Sequence, residues 1–266
     1  MVLRNIMVLV DGHPNAAERL DLAVALAKQH GASLVGLNPV IQPLLPKKGH
    51  NGEDQAEQVK DLFFQKTKEA HIDSRWISAD VKLLGGGVAE VVNHYATFVD
   101  LIVVGQTVYG GKEKSGPDNL PERVVLGSGK PVLIVPYSGA FSAVGDRVLI
   151  AWKTGRESSR ALSDALPLIR NAEMVNVFEV NPSEKERNDM ESLRRFLASH
   201  KVQAGVETSS ITALGVGDVL LNRVADEGSD LLVMGAYADF HFGSYTLGEA
   251  ARHVLKHMTV PVLMSH

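Results

Sequence analysis

The stretch GAYADFHFGSYTLGE, Gly235 to Glu249, follows an apolar run of strand length, Leu231 to Met234, and leads into a run that reads as a helix. Glycines in such a place suit phosphate binding. Without a Cβ, backbone N–H groups can approach phosphate oxygens, and the helix N-terminus adds a favourable dipole. The same glycines also suit a loop that only turns the chain, and both readings are open at this level. A second loop, GQTVYGGKEKSGPDN from Gly105 to Asn119, has a superficial likeness to a Walker A motif. Gln106 stands where its first glycine belongs and Glu113 where its hydroxyl belongs, so a true P-loop is not expected. Lys112 and Lys114 in that loop read as solvated lysines that can also meet an anion. His253 and His257 stand one helical turn apart, a spacing that suits two ligands of one metal ion and equally a basic helix end. There is no G-x-S-x-G elbow and no S-G-G-x-D-S loop, so hydrolytic catalysis has no visible nucleophile.

Composition narrows the classes further. The chain has 266 residues, 45% of them hydrophobic, enough for one large core or two cores of about 130 residues each. Lys plus Arg is 27 against 31 for Asp plus Glu, a net charge of −4 without a long block of one sign, which argues against nucleic acid as the main partner. Cysteine is absent, which excludes disulfides, thiolate catalysis and cysteine metal sites and fits a reducing compartment. The run Ile6 to Val10 is too short for a membrane span, so a soluble, cytoplasmic protein is expected.

The elements that must position these loops come twice. VDLIVVGQ from Val99 matches SDLLVMGA from Ser229, and KPVLIVP from Lys130 matches VPVLMSH from Val260, both at an offset of 130 positions. Upstream, NIMVLVDG from Asn5 matches RVLIAWKT from Arg147, and GVAEVV from Gly87 matches GVGDVL from Gly215, at slightly different offsets. Duplication with loop insertions explains the drift. The boundary falls in PYSGAFSAVGD, Pro136 to Asp146, giving expected domains 1–140 and 141–266.

Each half reads as five strands alternating with four helices. Continuous Val, Ile and Leu runs separated by helices imply a parallel sheet covered on both faces, with ligands at the carboxyl ends of the strands. Thr154 with Glu157, and Asn15 with Glu18, have the spacing of capping boxes opening the first helix of each half. Gly85 to Gly87 and Gly215 to Gly217 open the third helices. Asp100 and Asp230 read as surface turn residues before strands, and Gly127 with Ser128 as the turn into the last strand of the first half. Pro131 and Pro261 begin the last strands, where a missing N–H is tolerated.

The order and spacing of NIMVLVDG, DLIVVG, DLLVMGAY, KPVLIVP and RHVLKHMTVPVLMSH make the whole chain resemble tandem universal stress protein domains. The resemblance implies two tandem α/β domains of flavodoxin-like, adenine nucleotide alpha-hydrolase-like type, each a five-stranded parallel sheet, paired through their last strands as an intramolecular pseudo-dimer. It also implies that some members bind ATP, ADP or AMP with Mg, and others bind none. The binders carry G-x2-G-x9-G-[ST] after the fourth strand and an acidic residue at the end of the first, whose carboxylate can accept from ribose hydroxyls.

In the second half, Gly235 stands at the first glycine, Ala238 at the second and Gly248 at the third, while Glu249 replaces the hydroxyl and Lys153 the acidic residue. A carboxylate beside phosphates is repulsive unless a cation intervenes. Lys153 can meet a phosphate but cannot accept from ribose. The first half departs the other way. Asp11 keeps the acidic position, Val40 stands where the family backbone meets adenine, and Gly105 aligns with Gly235, but Val108, Asp118 and Asn119 replace the rest. The candidate nucleotide contacts are therefore Asp11, Val40 and Gly105 in one half and Lys153, Gly235, Ala236 and Gly248 in the other. Purely structural roles stand open beside them. Asp11 can cap the following loop, Gly235 can turn the chain, Gly248 can permit close helix packing and Glu249 can complement the helix dipole. Three functions follow: a nucleotide-responsive stress protein acting through conformation or partners, a nucleotide-free scaffold for protein partners, and a slow ATPase. A homodimer is compatible with each.

Overall fold

Parallel strands cannot be joined by a tight turn, so each apolar run must be followed by a crossover before the next strand can pair. In the computed structural model, residues 2–11, 15–40, 52–108, 119–211, 213–241 and 244–266 are described. The chain divides into two compact units, Val2–Ala143 and Val144–His266. In the first, β1 (Asn5–Leu9), α1 (Ala16–His30), β2 (Ser33–Val40), α2 (Gly52–Glu69), β3 (Ser74–Asp80), α3 (Val88–Tyr95), β4 (Leu101–Gly105), α4 (Leu120–Ser128) and β5 (Val132–Val135) alternate as expected. The strands lie in the order β3-β2-β1-β4-β5, with parallel registers such as Asn5 against Ser33 and Ile6 against Leu101.

The second unit repeats the scheme with β6 (Arg147–Ala151), α5 (Arg156–Ile169), β7 (Met174–Val180), α6 (Glu184–Ser199), β8 (Gly205–Ser209), α7 (Val216–Glu227), β9 (Leu231–Gly235), α8 (Glu249–His257) and β12 (Val262–Ser265). Its strand order is β12-β9-β6-β7-β8, again parallel. Two short strands that the sequence pattern did not reveal, β10 (Ala238–His241) and β11 (Ser244–Leu247), form an antiparallel hairpin inside the glycine-punctuated loop.

Right-handed crossovers set the layers. The first two move one way along the sheet and the last two the other way, which places α1 with α2 on one face and α3 with α4 on the opposite face. The contacts agree, α1 packing with α2, α3 with α4 and α7 with α8. Strands covered on both faces must be apolar throughout, and Leu101 to Val104 and Leu231 to Met234 are indeed buried without interruption.

Several local expectations are corrected. The helix expected from Thr154 begins at Arg156, with Gly155 in the cap position and no side-chain cap. The chain needs Trp152 to Gly155 to leave the sheet before the helix can start. Asn15 does occupy the cap of α1, but its side chain makes no capping bond. A complete box stands instead at α6, where Ser183 Oγ accepts from Glu186 N at 3.3 Å and Glu186 Oε2 from Ser183 N at 2.8 Å. Gly127 and Ser128 finish α4, and the turn into β5 is made by Gly129 in the left-handed conformation. Gly87 and Gly215 cap α3 and α7 as expected.

Asp100 and Asp230 are not simple turn residues. Asp100 Oδ2 accepts from the N–H groups of Arg4 and Asn5 at 2.8 and 2.9 Å. Asp230 accepts from Gly145, Asp146 and Arg147 at 2.9, 3.0 and 3.3 Å. Each aspartate thereby pins the start of the first strand of its half to the start of the fourth. Removing a carboxylate that serves several backbone donors costs about 1–3 kcal/mol. Asp230→Ala is expected to lower unfolding free energy by roughly that amount, and Asp100→Ala to act in the same direction. Urea denaturation of the two variants checks both.

Candidate functional site

The strand order of the second unit reverses between β6 and β9, and a reversal of this kind opens a crevice at the carboxyl ends of the strands. A cavity of about 620 Å³ lies there, within the usual range for small-molecule sites. Trp152 to Gly155 leave β6 along one wall, Glu179 and Val180 end β7, and Gly235 ends β9. The first turns of α5 and α8 close it, bringing Glu157, Ser158, Glu249 and Ala251 to the lining. The first N–H groups of these helices have no partner within the helix and leave a positive end toward the cavity.

Glu179 is the unusual side chain of this site. It is 1% exposed. The nearby Thr154 N–H favours its ionised form, and Oε2 has no hydrogen-bond partner. Burial, reinforced by the negative charges of Glu186 and Asp189 and opposed by Lys153, raises its pKa to about 7. Lys153 is exposed at the rim and makes no ion pair among the described residues. Glu157 is paired with Arg156 at 3.1 Å.

The comparisons with known proteins bear on this geometry. The model of the Universal stress protein family matches residues 3–136 and again 146–266. The chain belongs to the universal stress protein family. Among solved structures, a universal stress protein from Archaeoglobus fulgidus DSM 4304 is 18% identical, covers 97% of each chain and superposes with a TM-score of 0.76. A universal stress protein from Pseudomonas aeruginosa UCBPP-PA14 is 17% identical over 99% of this chain and 93% of the other, with a TM-score of 0.67. At these identities the likeness carries the fold: two tandem universal stress protein domains of flavodoxin-like architecture. No curated protein matches the chain.

Against the family pattern, the structure brings Lys153, Gly235 and Gly248 to one cavity and leaves Ala236 outside its lining. The Ala236 N–H is bonded to Ser265 O at 2.8 Å, and its carbonyl meets His266 Nδ1 at 3.0 Å. Gly235 is needed for packing, because a Cβ there would stand 2.5 Å from Ser158 N and 2.6 Å from Glu157 C. Gly248 caps α8, and its N–H is taken by Tyr237 O at 2.9 Å. The donors left for an anion are those of the first turns rather than the glycines themselves.

In the first half of this stress protein the acidic position is internally occupied. Asp11 Oδ1 accepts from Arg19 Nη2 at 2.7 Å, and the same buried guanidinium donates through Nε to Leu9 O at 2.8 Å. Gly105 is the space this arginine needs, since a Cβ there would stand 2.2 Å from Arg19 Nη1. Val40 ends β2, half-buried, in register with Asp80. Lys112, Lys114 and Asp118 lie outside the described residues. His253 bonds to Asp218 at 2.8 Å and packs against His257, and among the described residues no group of three or more metal-ligating side chains is assembled.

The sequence reading missed Glu179 and the aromatic residues Trp152 and Tyr237. A signal for Glu179 was present: it is the one charge in the apolar run MVNVFEV. The strand registers make Asn38 its counterpart, because Trp152 N donates to Phe178 O as Val10 N donates to Leu37 O, and both positions are buried.

A carboxyl with a raised folded-state pKa binds its proton more tightly in the folded chain than in the unfolded one. Stability is therefore lost as pH rises from about 4.5 to about 7 and the loss is complete above that. Glu179→Gln removes this penalty. The variant is expected to gain about 1–3 kcal/mol over the parent at pH 8 and little at pH 4.5, as read by urea denaturation at both values. Conversely, Asp11→Ala leaves a buried guanidinium unpaired and is expected to cost about 2–4 kcal/mol, checked in the same assay at pH 7.

Proposed function

We propose that this universal stress protein is nucleotide-responsive through its second half, where an adenine-bearing ligand of the ATP, ADP or AMP kind occupies the cavity and alters conformation or partner binding. The cavity at the β6–β9 reversal supports this reading, because helix N-termini, a rim lysine and aromatic side chains converge on it. Its size suits a ligand of this class. The first half acts as a structural partner. The Asp11–Arg19 pair favours the nucleotide-free reading for that half, since a ribose hydroxyl must compete with a buried guanidinium for the same carboxylate.

Calorimetry on nucleotide-stripped protein with AMP, ADP and ATP, each with and without magnesium, tests the reading. One site per chain is expected. Val216 lines the cavity at the start of α7 and is 41% exposed, so Val216→Trp is expected to block the site without disturbing the fold. Two sites per chain would overturn the assignment of the first half. Absence of heat with every ligand at millimolar concentration would leave the chain as a scaffold for protein partners.

A further inference from the structure

The cavity of the second unit holds a feature that a phosphate cradle does not need. Glu179 lines it, is buried to 1% exposure and carries an oxygen without a hydrogen-bond partner. A buried acceptor in that state is costly, and a donor supplied by a ligand removes the cost. The charges around it are mostly of one sign. Glu186 and Asp189 face it from α6, Glu157 and Glu249 stand on the cavity wall from α5 and α8, and Lys153 is the basic lining residue. Of the carboxylates, Glu157 is paired with Arg156. Helix α7 contributes Val216 and Leu220, and β8 places Thr208 beside Glu179. The Gly248 N–H is bonded within the chain, which leaves a phosphate only the first-turn donors of α5 and α8. Trp152 and Tyr237 offer flat apolar surface at the same cavity.

We propose that this cavity selects an uncharged nucleoside over its phosphorylated forms, with the Glu179 carboxylate accepting a hydrogen bond from the ligand's amine or ribose hydroxyl. The selection rests on the reading above that the cavity takes an adenine-bearing ligand. Phosphorylated forms are disfavoured beside the carboxylates of Glu186 and Glu249 on the wall, and the nucleoside is held by its donors and its flat ring. A donor favours the ionised carboxylate, so nucleoside affinity rises with pH across the titration of Glu179 while polyphosphate affinity falls.

The test is calorimetry on the full, nucleotide-stripped chain with adenosine, AMP and ATP, with and without magnesium, at pH 6 and pH 8. Adenosine is expected to bind at least about tenfold more tightly than ATP at pH 8 and more tightly at pH 8 than at pH 6. Glu179→Gln is expected to weaken adenosine by about tenfold and to flatten its pH dependence, a signature that a merely structural role would not give. Glu249 is exposed on the first turn of α8, and Glu249→Gln is expected to narrow the ratio by strengthening ATP. ATP binding as tightly as adenosine in either magnesium condition overturns the selection and leaves the adenine-ligand reading standing. Unchanged adenosine affinity in Glu179→Gln does the same. If adenosine, AMP and ATP all fail to bind, both readings fall.

Discussion

Every functional feature of this stress protein depends on one constraint: parallel strands need right-handed crossovers, and a sheet built outward from its first strand must reverse direction once. In each half the reversal lies where the first and fourth strands pair, β1 with β4 and β6 with β9. Helices on opposite faces diverge there. No side chain has to be specialised to make the crevice, and what fills or lines it distinguishes the two halves.

In the first half an arginine from α1 runs under Gly105 to Asp11 and Leu9 O, turning a potential ligand carboxylate into part of the core. In the second half the backbone of α5 itself comes close to Gly235, and no arginine intervenes. Two aligned glycines are thus required for different reasons, one by a guanidinium and one by a helix turn. The charge at the strand ends has also moved. Asp11 in the first half corresponds to Lys153 in the second, while Asn38 corresponds to Glu179.

Much of the fold was legible in the sequence because its signals are local and repeated. The Val, Ile and Leu runs gave the strands, the duplicated blocks gave the two halves, and the spacing of those blocks carried the family. The site was less legible, because its chemistry depends on contacts between residues far apart in the chain. Nothing near Asp11 in the sequence announces that Arg19 binds it rather than a ribose. Gly235 and Gly248 kept the expected spacing, but the partners that explain them, Ser158 N and Tyr237 O, come from packing. The capping boxes at Thr154 and Asn15 failed because a spacing is necessary for such a box and not sufficient. The hairpin β10–β11 escaped notice because its strands are only four residues each.

The paired aspartates at the starts of β4 and β9 bear on the order in which the molecule assembles. Asp230 reaches backbone donors 83 to 85 residues away in the sequence, and Asp100 reaches donors 95 and 96 residues away. Contacts of such separation require closure of most of a domain before they can form. A β6–α5–β7 unit can gather from its neighbours alone, but β6 acquires its second strand and its aspartate clamp only when α7 has carried the chain back across the sheet. The crevice opens at that same docking step and is closed when α8 follows. During synthesis from the amino end, the second half therefore lacks this crevice until its fourth strand has left the ribosome, so the crevice belongs to the completed domain and to no earlier intermediate.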